Sequence, residues 1–337
     1  MTKTEFIIEM RDKVLKNEDL DEATRIELYD ALVHTSSKLT DYFENHDAIM
    51  ISVSGGSDSD CIVHLVCTYF PEYLDKCHFV FVNTGLEFDA TKNHLDYIEE
   101  KYGIEIQRLR GKSVVWVVKK YGFPILSKYK SELIRKYNEG QPHAYKWIFE
   151  EKIQSFKAMK FTEAHKNLVR YIHENGIKIS AKCCDISKKA PLFKYAKDHS
   201  IDLNVTGERK AEGGQRAISH TSCFEEGNHG MDKYMPLWWW PDNVKAAFKK
   251  IEGIRYSDCY EVYGMRRTGC VGCPFNLRIA KDLQIMQISE PRLYTACMNV
   301  FGESYRLMDQ FHARRFKCIP DDMQMPLFTM EDDVDGS

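Results

Sequence analysis

The chain has 337 residues, 43% of them hydrophobic and 29% charged, with a formal net charge of −3. That apolar share supports an ordinary globular core in one large domain or two, which excludes a disordered chain. A near-neutral balance gives no overall basic field for nucleic acid, while leaving room for a local basic patch. No stretch reaches the ~18 uninterrupted apolar residues of a membrane helix, and MTKTEFIIEMRDK lacks the apolar block of a secretory signal. A cytoplasmic protein with no membrane partner is therefore expected.

In residues 4–45, Phe6, Ile7, Met10 and Val14, then Ile26, Leu28 and Leu32, recur at helical spacing around a polar DLDEAT. This predicts a helical lead-in over 1–46. From 47 to about 122 the pattern alternates: AIMISV, CIVHLVCTYF, HFVFVN, TKNHLDYIEEKYG, IEIQRL. Alternation of this kind means βαβ units and a parallel sheet covered by helices on both faces, an α/β fold. SELIRKY and FTEAHKNLVRYIHENG predict a charged helical insertion near 126–178. Beyond it come a helix over DISKKAPLFKYAKDH, a strand at DLNVTG, and C-terminal helices in 277–337 that end in the acidic tail EDDVDGS. Trp238, Trp239 and Trp240 are expected to pack, with Trp240-Pro241-Asp242 opening a helix that carries Val244 and Phe248 into the core.

The stretch SVSGGSDSD follows the AIMISV strand directly. Gly55-Gly56 allow the backbone to turn its amides toward an anion, and a helix starting near Asp58 or Ser59 adds its N-terminal dipole there. Ser54, Ser57 and Ser59 supply hydroxyls. No GxxxxGK[ST] is present, so this is not the loop of kinases and GTPases. The alternative is a plain strand-to-helix turn with Ser or Asp58 as the N-cap.

SGGSDS after a buried strand resembles the PP-loop of the N-type ATP pyrophosphatases, and the segments around it resemble the phosphoadenosine phosphosulfate (PAPS) reductase family. FVNTGLEFDAT is similar to that family's DTGxxFxET, CCDISKKAPL to CCxxxKxxPL, TGERKAEGGQR to GxRxxES...R, and PLWWWPDNV with YGMRRTGCVGCPF to PLxxWxxxDV and GCxxCP. The likeness spans 47–276 and implies an adenine nucleotide alpha hydrolase-like domain there. Three departures stand out. Asn83 replaces the usual Asp, Gly213-Gly214 replace ES, and no ECGxH follows, since Cys318 sits in RRFKCIPDD. The missing cysteine motif turns the expectation from sulfonucleotide reduction toward cleavage of ATP between its α and β phosphates.

In that chemistry a substrate oxygen attacks the α-phosphorus and pyrophosphate leaves, so donors must face the leaving group. The amides of Gly55, Gly56 and Ser57, with the Ser54 and Ser59 hydroxyls, suit that task. Asp58 is a candidate for Mg²⁺, a hard ion that takes carboxylate and phosphate oxygens. Asn83, Thr84 and Gly85 would meet the adenosine at the carboxyl end of the sheet. Gly207 lies at the next strand end, and Arg209 and Arg216 offer forks for phosphate. Ser57, Asp58 and Arg209 are the expected catalytic residues.

Eleven cysteines in a reducing compartment argue for metal or redox chemistry where they group, and against disulfides. Most, such as Cys223 and Cys297, are scattered singly as ordinary thiols. Adjacent Cys183-Cys184 and the Cys270-Val-Gly-Cys273 motif are different. Four thiolates suit Zn²⁺ or an iron–sulfur cluster. Adjacent cysteines must bend to converge, which favours a larger cubane, and the resemblance also implies [4Fe-4S]. Lys182, Lys188 and Lys189 could offset thiolate charge or reach a substrate phosphate. The resemblance further implies a cysteine desulfurase or other sulfur donor and nucleic-acid-modification proteins as partners. It leaves a sulfonucleotide reductase with an external thiol, and a non-catalytic nucleotide and cluster module, as the alternatives.

Overall fold

The computed structural model describes residues 3–150, 160–213, 221–227 and 230–313. The chain runs α1 (Lys3–Leu15), α2 (Glu22–Glu44), β1 (Ile49–Ser52), α3 (Ser57–Tyr69), β2 (Cys77–Asn83), α4 (Asp89–Tyr102) and β3 (Ile106–Arg110). It continues with α5 (Val114–Tyr121), α6 (Lys128–Asn138), α7 (Pro142–Phe149), α8 (Glu163–Glu174), a π-helical turn (Cys184–Lys189), α9 (Ala190–Asp198) and β4 (Leu203–Thr206). Last come β5 (Phe224–Glu225), β6 (Asp232–Tyr234), α10 (Asp242–Glu252), α11 (Asp258–Glu261), α12 (Ile279–Ser289) and α13 (Pro291–Gln310). The acidic tail lies outside the described residues.

The chain divides into two compact units, each discontinuous in sequence: Met1–Gly111 with Ile186–Gly269, and Lys112–Asp185 with Cys270–Ser337. In the first, the sheet order is β3-β2-β1-β4-β6-β5. All neighbours are parallel except β5 and β6. This is the expected α/β architecture. Side-chain alternation along β1 covers both faces of the sheet. Ile49 and Ile51 pack with Phe6, Met10, Leu28, Leu32, Leu95 and Phe248 from the surrounding helices, whereas Met50 and Val80 pack with Ala196 of α9 on the other side. The order reverses direction at β1, so the carboxyl ends of β1 and β4 bound the crevice where folds of this type place ligands.

The lead-in helices belong to this core. DLDEAT supplies the stop and restart, because Asp21 caps α2 by accepting from the Thr24 amide at 2.9 Å. Phe6, Met10, Val14, Leu28 and Leu32 are buried as their spacing predicts, but Ile26 is 49% exposed. The tryptophans divide in the same way. Trp238 and Trp240 are buried with Val244 and Phe248, and Trp240 donates to Thr35 Oγ1 at 3.0 Å. Trp239, expected to pack, is 52% exposed with Lys210 4.8 Å from its ring. Three consecutive residues cannot all face one core, and the middle one points out.

In the second unit, Ile125, Leu133, Ile134, Leu168, Val169 and Ile172 are buried. Ser304 of α13 donates to the Pro124 carbonyl at 2.6 Å, and the Leu126 amide meets Met308 Sδ at 3.3 Å. The inserted helices and the C-terminal helices therefore share one body.

A buried junction fastens α1 to the first unit. Glu252 Oε2, at the end of α10, accepts from Lys13 (2.9 Å), His64 Nε2 (2.9 Å) and the Tyr69 hydroxyl (2.8 Å). Burial alone would raise the Glu252 pKa, but the bonds from His64, Lys13 and Tyr69 outweigh it and hold the carboxyl below its ordinary 4.5. A folded value below the unfolded one means that the stabilisation is complete above about pH 4.5 and is lost as pH falls through the folded value. Glu252→Gln should cost about 3 kcal/mol at neutral pH, read by urea unfolding, because it leaves Lys13 and His64 without their carboxylate. The gap to the native protein should narrow under acid conditions; a pH-independent gap would refute the assignment.

Candidate functional site

The SGGSDS loop lies between β1 and α3, and its shape is fixed from within. Gly55 has φ +64°, a left-handed conformation, and a Cβ there would stand 2.6 Å from Thr91 Cγ2. Ser59 Oγ donates to the Gly56 carbonyl at 2.7 Å and accepts from the Ser54 amide at 3.2 Å, while the Ser54 hydroxyl accepts from the Gly56 amide at 3.3 Å. Ser54 and Ser59 thus staple the loop. Gly56 is the N-cap of α3, with no side-chain cap bond, so the helix starts at Ser57 and Asp58 is not the cap. The first-turn amides of α3 have no carbonyl of their own helix to reach, and with the helix dipole they favour an anion at this end.

Asp58 sits in a cluster of cations. Its Oδ1 accepts from Arg209 Nε at 2.7 Å and from Lys245 Nζ at 2.8 Å, and Lys245 also donates to the Ser57 hydroxyl at 2.9 Å. Arg209 is only 4% exposed, and its other nitrogens donate to the Trp240 carbonyl at 3.0 Å and Asp242 Oδ1 at 2.8 Å. The fork expected to face phosphate is thus directed at protein acceptors, and Arg209 braces the loop. Lys245, which the sequence reading missed, is the cation at the Ser57 hydroxyl. It stands in the first turn of α10, 187 positions from Asp58, and no feature near it in the sequence marks it. Arg216 lies outside the described residues.

Gly207, just past β4, has no room for a side chain. A Cβ would stand 2.8 Å from the Ser59 amide nitrogen and 2.9 Å from the Asp58 carbonyl carbon. The end of β4 and the first turn of α3 are in backbone contact.

At the end of β2, Asn83 Oδ1 accepts from the Gly85 amide at 2.9 Å, closing an Asx turn. The Thr84 amide and hydroxyl both donate to Glu87 Oε1, at 3.0 and 2.7 Å. Burial raises the Glu87 pKa against those two bonds and the charges of Lys188 and Lys92. Asn83 therefore works as an uncharged turn former. Behind the loop, Asp60 and His94 form a buried pair at 2.9 Å, unpredicted from the sequence, and desolvation raises the Asp60 pKa against the His94 bond.

All four expected metal ligands fall in the second unit. Cys183 and Cys184 lie where the chain enters the π-helical turn, a local widening common at functional sites. Cys273 N donates to the Cys270 carbonyl at 3.2 Å, closing the CxxC turn, and the Tyr305 hydroxyl of α13 holds the Gly272 carbonyl. The Cys183 thiol is pushed far above its ordinary range by its bond with Cys184, then by burial and by the charges of Cys184, Cys273 and Cys270. Cys184, Cys273 and Cys270 thus lie near enough to Cys183 for their charges to act on its thiol. Among the described residues, no group of three or more His, Cys, Asp or Glu is arranged to hold a metal ion. Cys297, expected to be an ordinary thiol, lies under the CxxC turn: a Cβ on Gly272 would be 2.7 Å from its sulfur. Lys182 stands 4.3 Å from the Tyr121 ring, and the charge of Lys188 acts on Glu87.

The sequence profile of the phosphoadenosine phosphosulfate reductase domain matches residues 48–139 and 109–276. That is more than half of the chain, which belongs to this family. An uncharacterised protein of Methanocaldococcus jannaschii is 24% identical over 263 residues, 74% of this chain and 43% of its own length. The adenosine 5'-phosphosulfate reductase of Neisseria meningitidis is 24% identical over 135 residues, 37% of this chain and 52% of the enzyme. The chain spans about half the length of these curated relatives. Among solved structures, the PAPS reductase of Candida auris in a phosphate complex aligns with a TM-score of 0.39 at 15% identity, covering 66% of this chain and 80% of that one.

Two outcomes follow from this geometry. Gly207→Ala must move backbone in the first turn of α3, and should cost about 1–3 kcal/mol in thermal unfolding and weaken nucleotide binding at least tenfold. Unchanged affinity would separate the β4 end from the site. For the quartet, anaerobically isolated protein should be brown, and Ser at Cys183, Cys184, Cys270 or Cys273 should remove most of the iron, with Cys223→Ser as the silent control. One zinc per colourless chain would replace the cluster assignment, and no metal after reconstitution would end it.

Proposed function

We propose that this protein is an ATP pyrophosphatase that splits ATP between its α and β phosphates to activate an acceptor. The observation that carries the reading is the loop from Ser54 to Ser59, stapled into shape at the head of α3, with Lys245 poised on Ser57 and Asp58. In this reading the triphosphate sits against the first-turn amides of α3. Lys245 turns from Asp58 to the leaving pyrophosphate, and Arg209 keeps Asp58 in place while it does so. The Asn83–Gly85 turn borders the adenosine.

The acceptor oxygen attacks the α-phosphorus, the α–β bridging bond breaks, and pyrophosphate departs with its electron pair. Displacement of AMP from the adenylated acceptor by a sulfur nucleophile completes a transfer that yields AMP and pyrophosphate. Mg²⁺, with Asp58 as its protein carboxylate, would neutralise charge on the phosphates. A [4Fe-4S] cluster on Cys183, Cys184, Cys270 and Cys273 would supply a site for holding sulfur. Nucleic acid is the acceptor class in this reading, with a cysteine desulfurase or similar donor and modification proteins as partners in the cytoplasm.

Pyrophosphate release from labelled ATP tests the reading. Lys245→Ala should lower the rate about 10²–10³-fold, in the range for loss of one charge-stabilising donor. Gly56→Val should abolish ATP binding, because a Cβ there already comes within 3.0 Å of Ser54 Oγ and 3.3 Å of the Tyr260 hydroxyl. Sulfite release from a sulfonucleotide without pyrophosphate release from ATP would instead make the protein a reductase. Nucleotide binding without turnover would make it a binding module.

A further inference from the structure

The second unit carries a basic and aromatic patch that the nucleotide chemistry leaves unused. Residues 112–136 contain seven Lys or Arg and a single Glu, in a chain whose net charge is −3. Within that segment, α5 presents Trp116, 37% exposed, and ends at Tyr121, the two rings meeting edge to face with centroids 6.1 Å apart. Three ammonium groups surround these rings. Lys112 and Lys120 stand 5.3 and 4.8 Å from the Trp116 centroid, and Lys120 and Lys182 stand 5.5 and 4.3 Å from that of Tyr121. Among the described residues none of the three lysines forms an ion pair. Glu132, which feels the charge of Lys182, has its carboxylate held by Arg135 at 2.5 Å.

Lysines collected on aromatic rings without carboxylates repel one another, and a polyanion relieves that repulsion. An exposed indole adds an apolar face, which a duplex cannot use because its bases are stacked inside. Position adds a third element: Lys182 directly precedes Cys183, and Lys128 pairs with Asp185 at 3.0 Å just beyond Cys184. The patch therefore borders the cysteine quartet within one unit.

We propose that the surface formed by Lys112, Trp116, Lys120, Tyr121 and Lys182 binds a single-stranded stretch of nucleic acid, its phosphates on the lysines and an unstacked base on Trp116. The strand's role as acceptor rests on the proposed function; its binding does not. The test titrates full-length protein with a fluorescein-labelled single strand of ~15 nucleotides, the upper end of single-strand site sizes. The duplex of the same sequence and heparin serve as comparators. The single strand should bind more tightly than either, with affinity falling as salt rises. The double variant Lys112→Glu/Lys120→Glu should lose at least ~10-fold. Trp116→Ala should weaken single-strand binding without changing its salt slope. Lys120→Gln alone, at an exposed position, gives a milder reading should the double variant unfold, and should weaken binding about threefold. Native affinity in the variants, or a duplex or heparin bound as tightly as the single strand, would overturn the proposal. Loss of strand binding in the variants with no pyrophosphate release from native protein would uphold this surface while removing the ATP reading, so the two failures are distinguishable.

Discussion

The ion pair between Asp58 and Arg209 is the constraint on which the carboxyl end of β1 and β4 depends. Both side chains are nearly sealed from solvent, at 13% and 5% exposure. An unpaired charge at either place would be costly, and each is compensated by the other together with Lys245 on Asp58 and Asp242 on Arg209. The pair links the first turn of α3 to the segment after β4, where Gly207 already brings the two backbones together. Arg209 then reaches on to the Trp240 carbonyl and Asp242, which sets the start of α10 and hence the position of Lys245. Three segments distant in sequence are held at one point, and the value of such a pair lies in registry more than in net stabilisation.

The parts of this arrangement that the sequence made legible are those set by local physics. Alternation from AIMISV to IEIQRL gave the strands and helices of the first unit, because a buried parallel strand and an amphipathic helix each carry their period in adjacent residues. The glycines and serines of the loop were readable for the same reason. Lys245 was not, since it approaches Asp58 from 187 positions away and nothing near it in sequence requires a cation there. The Asp60–His94 pair and the Glu252 junction are hidden likewise, each joining separate helices. Arg209 shows the opposite error: its type suggested phosphate, and its burial made it a brace.

The two cysteine pairs stand out in the sequence, but their setting does not. Spacing alone singled out the adjacent pair and the CxxC. That the inserted helices and the C-terminal helices form one body around them is a long-range outcome, and so is the lodging of Cys297 beneath Gly272. The π-helical turn at Cys184 has no period of its own in the sequence, because one extra residue in a helical turn leaves the surrounding pattern nearly unchanged.

The two ends of the sheet have a consequence of another kind. β3 carries Arg108, whose guanidinium is held by Asp96 and Glu99, and ends in Arg110, while β5 is only two residues long. Charge at one border and brevity at the other make poor templates for backbone pairing with a second chain. Growth of the sheet by strand addition is discouraged at both of these strands. Backbone pairing with another chain is thereby disfavoured at β3 and β5, which shifts the weight of any contact at these borders to side chains.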